Sequence, residues 1–330
     1  MQDKVKALKE QVSIPAIMAP MFLISNPEMV INACTSGVIG TFPALNARTT
    51  DILEEWMIEI KEELAAFTRA HPDKTVSPWG INFICHPAKS MNKRYEEDMQ
   101  LIEQHEPPIV ITSLGDPSPI VDIVHQYGGM VFSDVVNVKF ARKALEKGTD
   151  GLVLVASGAG GHGGLLNPIA FVHEIRSFFD GPIILSGGMS KGEDILVTET
   201  LGADFAYFGT RFITAEESTA DMAYKNMIID SSSEDILYTP AFTGIPANYL
   251  VPSIVEFGLD PKNLPEKEQI SLSGDDGSKI RAWKDIVSAG QGVSEIKEIQ
   301  TVAEIIEELT EQYVAAQKQV VHQYEKVVRK

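Results

Sequence analysis

The feature that most restricts how this chain can fold is a repeated unit: a short apolar run, a stop at glycine or proline, then a helix start. It is first met as IPAIMAP, residues 14 to 20, followed by Asn26-Pro27-Glu28, an N-cap residue with proline at the first helical position. It returns at residues 37–40, ahead of a helix from about Asp51 whose Ile52, Leu53, Trp56, Met57, Ile60 and Leu64 share one apolar face. Further buried strands are expected at 79–85, 109–112, 130–133, 152–155, 181–186 and 203–208. Helix starts follow at Asp116-Pro117, at Asn167-Pro168 and at Ser190-Lys-Gly-Glu193, which has capping-box spacing. Eight strands alternating with helices imply a parallel sheet, and eight is the number that closes into a (β/α)8 TIM barrel. An open doubly wound sheet fits the same alternation.

From about Phe212 the alternation lapses into segments such as TPAFTGIPANYLVPS and SLSGDDGSK. The expectation is a smaller, mostly helical lid insertion over residues 213–292, covering one end of a barrel built from 1–212 plus 293–330. Ile296, Ile299, Val302, Ile305, Ile306 and Leu309 recur at helical spacing and predict the closing outer helix. A chain of 330 residues, 44% of them apolar, has ample material for such a core.

Charge and cysteine content narrow the function. A net charge of −18 without a Lys/Arg cluster argues against nucleic acid and against an acidic membrane surface as partners. No stretch approaches the roughly 20 apolar residues of a membrane span, and the start MQDKVKALKE lacks a signal-like apolar core, so a cytoplasmic protein is expected. Cys34 and Cys85 stand far apart with no CxxC pair, which suggests buried thiols and no metal or disulfide framework.

The chemistry concentrates in DGLVLVASGAGGHGG, residues 150 to 164, an apolar strand running into a glycine loop with one histidine. Glycines let backbone approach a flat or phosphorylated ligand, and His162 has few sequence neighbours to pack against; it reads as a catalytic group, with a packing histidine as the plain alternative. His86 is a weaker candidate, and His173 belongs to a solvated outer helix. Barrel enzymes often hold phosphate at the ends of strands seven and eight, where Gly187-Gly188 and Gly209-Thr210 stand; otherwise these are two tight turns. Gly158, Gly160 and Gly163 formally satisfy GxGxxG, but the next helix start is delayed to Asn167-Pro168 and Asp180 precedes its strand, both against a dinucleotide-binding turn. Asn82 could address a heteroaromatic ring or form a turn. Ala19-Pro20-Met21 could lie under a flat ring or serve the core or rim. Ser288-Ala-Gly-Gln-Gly292 is either a flexible return or a ligand-facing loop.

At AIMAPM, GINF, AGGHGG, LSGGM, FGTRF and SAGQG, in that order over nearly the whole chain, the sequence resembles the nitronate monooxygenases, also called 2-nitropropane dioxygenases. The resemblance implies an FMN-dependent barrel that oxidises alkyl nitronates with O2 to carbonyl compounds and nitrite, with these small molecules as its partners and room for a homodimer. It makes His162 the base or proton donor, sets Ala19, Met21 and Asn82 at the isoalloxazine, and sets Gly164, Gly187, Gly188, Gly209 and Thr210 around the ribityl phosphate. Many members carry Gln seven residues and Glu four residues before the histidine, where this chain has Val155 and Gly158. FMN-dependent enoyl-acyl-carrier-protein reductases and NAD(P)H:quinone reductases share the barrel and are the alternatives.

Overall fold

The structure is a computed structural model that describes residues 2–86, 92–264 and 281–328. The SLSGDDGSK segment, residues 271–279, lies outside them. In chain order the helices are α1 (Gln2–Lys9), α2 (Pro27–Thr35), α3 (Thr50–Ala70), α4 (Tyr95–His105), α5 (Ser118–Gln126), α6 (Val138–Glu146), α7 (Pro168–Arg176), α8 (Glu193–Leu201), α9 (Thr210–Ile213), α10 (Met222–Asp230), α11 (Val251–Glu256) and α12 (Val302–Val328). The strands are β1 (Ala16–Met18), β2 (Ile39–Pro43), β3 (Trp79–Ile84), β4 (Ile109–Ser113), β5 (Met130–Val135), β6 (Gly151–Val155), β7 (Gly161–His162), β8 (Ile183–Ser186), β9 (Phe205–Phe208), β10 (Ile236–Thr239) and β11 (Ala247–Leu250).

Eight of these strands close in the order β1-β2-β3-β4-β5-β6-β8-β9, and β9 returns to β1 in parallel with Ile17 opposite Tyr207. The (β/α)8 barrel expected from the alternation is therefore the fold, and the open sheet is excluded. Strands buried on both faces need apolar residues at every position, which is why they read as unbroken runs. Ile109 and Ile111 of β4 point inward to join Ile17, Ile39, Phe132, Val153, Ile184 and Phe205, while Val110 between them packs outward with the helices. Leu8 of α1 belongs to the inner cluster, and Lys4 pairs with Asp150 at the start of β6, so α1 is tied to the barrel interior.

The expected helix starts at Asn26 and Asn167 hold: each amide side chain accepts from a backbone N–H of its helix. At α8 the capping carboxylate is Asp194, not Glu193; it accepts from the N–H groups of Ser190 and Lys191 at 2.7 and 2.9 Å. The Ser190 hydroxyl instead donates to the Gly292 carbonyl. The closing helix starts at Val302, with Ile296 and Ile299 outside it in the approach segment. Buried Arg211, from the FGTRF motif, bonds Gln300 and Glu308 (2.6 Å to the latter), so this arginine anchors α12.

Residues 213–292 contribute α10 and α11, and also an antiparallel strand pair that the Pro- and Gly-rich sequence conceals. β10 pairs with β11, and β11 pairs with β7, giving the order β10-β11-β7. Phe242, Tyr249, Ile254 and Ile286 form a small apolar core under it.

Candidate active site

The glycine loop after β6 turns back toward the barrel mouth because Gly158 and Gly161 take positive φ, +87° and +72°, which a side chain resists. The loop then enters β7, not a helix, and Ala247 of β11 lies opposite His162. The helix that a dinucleotide fingerprint needs at once begins only at Pro168. Two bonds strap the loop to the insertion, Asn248 Nδ2 donating to Ala159 O at 2.6 Å and Gly161 N–H donating to Ser288 Oγ at 2.6 Å, and Ser288 Oγ in turn donates to Asn248 O at 2.5 Å within the insertion.

His162 Nε2 stands 2.9 Å from Thr243 Oγ1, and the ring meets the edge of Trp283 at 5.1 Å and 82°. Burial alone pushes the imidazole down from 6.5 to about 4, so at neutral pH it is uncharged and can accept a proton. That favours a base over an imidazolium holding an anion.

His162 faces a cavity of about 890 Å³ at the carboxyl ends of the strands, the end at which barrel enzymes place their chemistry. Of the nine residues expected at the site, His162, Ala19, Met21, Asn82, Gly187, Gly188, Gly209 and Thr210 line this one cavity. Gly164 does not: its N–H bonds Val155 O, and an added Cβ would press on the carbonyls of Val155 and Val136. His86 is exposed outside the cavity wall, and His173 is exposed on α7.

One stretch of wall is polar. Asn82 Nδ2 donates to Ile111 O (3.1 Å) and to Ser113 Oγ (2.8 Å), and Ser113 Oγ in turn donates a hydrogen bond to Asp134 Oδ2 at 2.6 Å. Burial lifts the Asp134 carboxyl to about 6, against the lowering effect of the Ser113 bond, and its Oδ1 is buried without a partner. A buried polar atom without a partner is costly, so a ligand with hydrogen-bonding groups on its edge suits this wall.

The opposite stretch is small and backbone-lined. Gly188 takes φ +72° with nothing within 4 Å of the position a Cβ would occupy, and at Gly209 the nearest atom is Ala19 Cβ at 3.9 Å. These two positions form an open cradle that side chains would fill. Thr210 Oγ1 accepts from Gly290 N–H at 2.8 Å and keeps its own proton available. The 288–292 segment faces the cavity: Ser288, Ala289, Gly290 and Gly292 line it, and Gln291 N–H bonds Gly158 O at 2.9 Å. The space beyond Gly158 is met by Gln291, whose Oε1 would be 3.0 Å from an added Cβ. A cavity with a glycine cradle, a hydroxyl and a polar wall fits a flat heterocycle carrying a phosphate.

Sequence reasoning missed Thr243, Trp283, Asn248 and Asp134. The first three come from the insertion, where no periodicity marks them; Asp134 is the one acid in an otherwise apolar or small strand end, FSDV, and could have been singled out. Among the described residues no cluster of metal-binding side chains occurs, and no helix is long and apolar enough to cross a membrane.

A nitronate monooxygenase from Paraburkholderia phytofirmans is 26% identical over 311 residues, covering 81% of each chain. The fold is shared with the nitroalkane oxidase from Streptomyces ansochromogenes (TM-score 0.76, 22% identity, 95% of this chain and 99% of the other). It is also shared with FabK from Thermotoga maritima (TM-score 0.75, 22% identity, 98% of both chains). The family model described as nitronate monooxygenase matches residues 4–312, and the chain belongs to that family.

Proposed function

We propose that this flavin-dependent oxidoreductase binds FMN and oxidises alkyl nitronates with O2 to carbonyl compounds and nitrite, without a nicotinamide cofactor. The observation that carries the reading is the convergence on one cavity of an uncharged His162, the glycine cradle at 188 and 209, and the polar wall at Asn82 and Asp134. Gly187, Gly188, Gly209 and Thr210 would hold the ribityl phosphate, and Ala19, Met21 and Asn82 the isoalloxazine. When bound, the flavin supplies the one-electron chemistry between the anionic substrate and oxygen.

The protein's share is binding and proton handling. His162 takes the α-proton of a neutral nitroalkane, and a substrate that arrives as the nitronate bypasses this step. A positioned base of this kind contributes about 10² to 10⁴ in rate. Trp283 and Thr243 hold the imidazole from the insertion side, so the same segment that orients the base also covers it from water. We place the protein in the cytoplasm, acting on small molecules.

Anaerobic mixing of the FMN-loaded protein tests the reading. Bleaching of the flavin bands by propionate 3-nitronate, with no bleaching by NADH, is expected. Rapid bleaching by NADH and none by the nitronate would assign the chain to the reductases.

A further inference from the structure

We propose that Thr243 fixes His162 as the Nε2–H tautomer, so that Nδ1 is the atom that takes the substrate proton. The inference rests on His162 being the base of the proposed reaction, and adds which nitrogen acts and which residue decides it.

Thr243 is fully buried, and its Oγ1 lies 2.9 Å from the Ile245 carbonyl and 2.9 Å from His162 Nε2. A hydroxyl has one proton and two lone pairs, and a carbonyl oxygen can only accept. The Thr243 proton is therefore committed to Ile245 O, and Oγ1 offers His162 a lone pair alone. Nε2 must then carry the hydrogen of that bond. Two further contacts reach Oγ1, Ile245 N–H at 3.4 Å and the Tyr249 hydroxyl; as donors both use lone pairs and leave the Thr243 proton on Ile245 O.

A neutral imidazole has one N–H, so Nδ1 is left as the acceptor. It makes no hydrogen bond among the described residues, and it belongs to a side chain that lines the cavity. The lowering of the His162 pKa has burial as its cause, with no charged group contributing, which keeps the ring singly protonated at neutral pH. The ring is held as well as protonated in one way. Trp283 meets it edge-on and itself stacks on fully buried Tyr249 at 5.3 Å and 27°. Pairing of His162 with Ala247 in the small sheet fixes the backbone beneath.

In the proton-transfer step the α C–H bond of the nitroalkane breaks, its electron pair stays on the nitronate, and the proton goes to Nδ1. The product imidazolium is protonated on both nitrogens, with Nε2–H still bonded to Thr243. Thr243 is a positioning residue here: it never touches the substrate, but without its lone pair the Nδ1–H tautomer, which presents no acceptor to the substrate, becomes populated.

The test uses FMN-loaded protein labelled with ¹⁵N-histidine, with the His162 signals identified by their loss in His162→Asn. Long-range ¹H–¹⁵N spectra at pH 7 are expected to show a protonated Nε2 and a bare Nδ1. Thr243→Val should mix the tautomers and lower turnover of neutral nitroalkane about tenfold, the scale of one lost hydrogen bond, while turnover of preformed nitronate is unchanged. Thr243→Ser, which keeps the hydroxyl, should restore both the spectrum and the rate. A wild-type spectrum with Nδ1–H overturns the proposal, as does a Thr243→Val protein with the wild-type spectrum and wild-type nitroalkane kinetics. A protein with the Nε2–H signal that oxidises neither nitroalkane nor nitronate contradicts the proposed reaction and leaves the tautomer assignment standing.

Discussion

Gly290 donates its backbone N–H to the Thr210 hydroxyl at 2.8 Å, joining the loop that ends the insertion to the end of the last barrel strand. The bond uses a lone pair of Thr210 and leaves its proton for a ligand. This end of the cavity, where we propose the phosphate binds, is thus completed by the insertion and not by the barrel alone.

Removing that hydroxyl should weaken cofactor binding twice over. Thr210→Val deletes a donor to a phosphate dianion and leaves the Gly290 N–H without its partner. Hydrogen bonds to charged groups contribute about 1.5–3 kcal/mol, so FMN affinity should fall about 10- to 100-fold. Fluorescence quenching of FMN titrated with the flavin-free protein reads this directly; unchanged affinity would move the phosphate elsewhere.

His162 gives a prediction with a defined sign in pH. Its folded value of about 4 lies below the ordinary 6.5, so the base is fully available from about pH 5.5 upward. The rate on neutral nitroalkane should be flat across pH 6–8 and fall only as the pH drops toward 4; a limb near 6.5 contradicts this. Stability has the same direction. It is fully present above about pH 6.5 and is lost as the pH falls through 4, because the unfolded chain takes up the proton first, by up to about 3 kcal/mol. His162→Asn should retain FMN, lose most turnover of neutral nitroalkane, and escape this pH-dependent loss in denaturant titrations.

Asp134 behaves in the opposite sense. Its carboxyl is lifted from 3.8 to about 6, so folding is penalised as pH rises through that window, and the penalty persists above it. Asp134→Asn should stabilise the flavin-free protein at pH 8 by about 2–3 kcal/mol, and by less at pH 5. Urea denaturation at the two pH values checks this; a destabilised variant at pH 8 would mean the ionised carboxylate is well solvated in the fold.

Much of this architecture can be read from the chain because parallel barrel strands are apolar at every position and are punctuated by capping residues. Ile109-Val110-Ile111 and Asn167-Pro168 each signal their role within a few residues. Eight of the nine expected site residues meet at one cavity because they sit at strand ends, which the barrel brings together whatever the helices do. Gly164 stands apart from Gly160 and Gly161, which face the cavity, because its lack of a side chain serves close packing on Val136 and Val155. Thr243 and Trp283 were illegible for a different reason. Their contact with His162 spans 81 and 121 residues and depends on a β11–β7 pairing of two residues, too short to leave a pattern. The α12 boundary failed where Ile296 and Ile299 continue the helical spacing without being helical.

The central claim is that this cavity oxidises nitronates with oxygen and needs no nicotinamide. The most direct measurement is oxygen uptake by the FMN-loaded protein given propionate 3-nitronate as its only reductant, with nitrite assayed in the same sample. The account predicts oxygen consumption accompanied by nitrite release and unaffected by NADH. No uptake with the nitronate, together with NADH oxidation on adding an enoyl thioester, would contradict it.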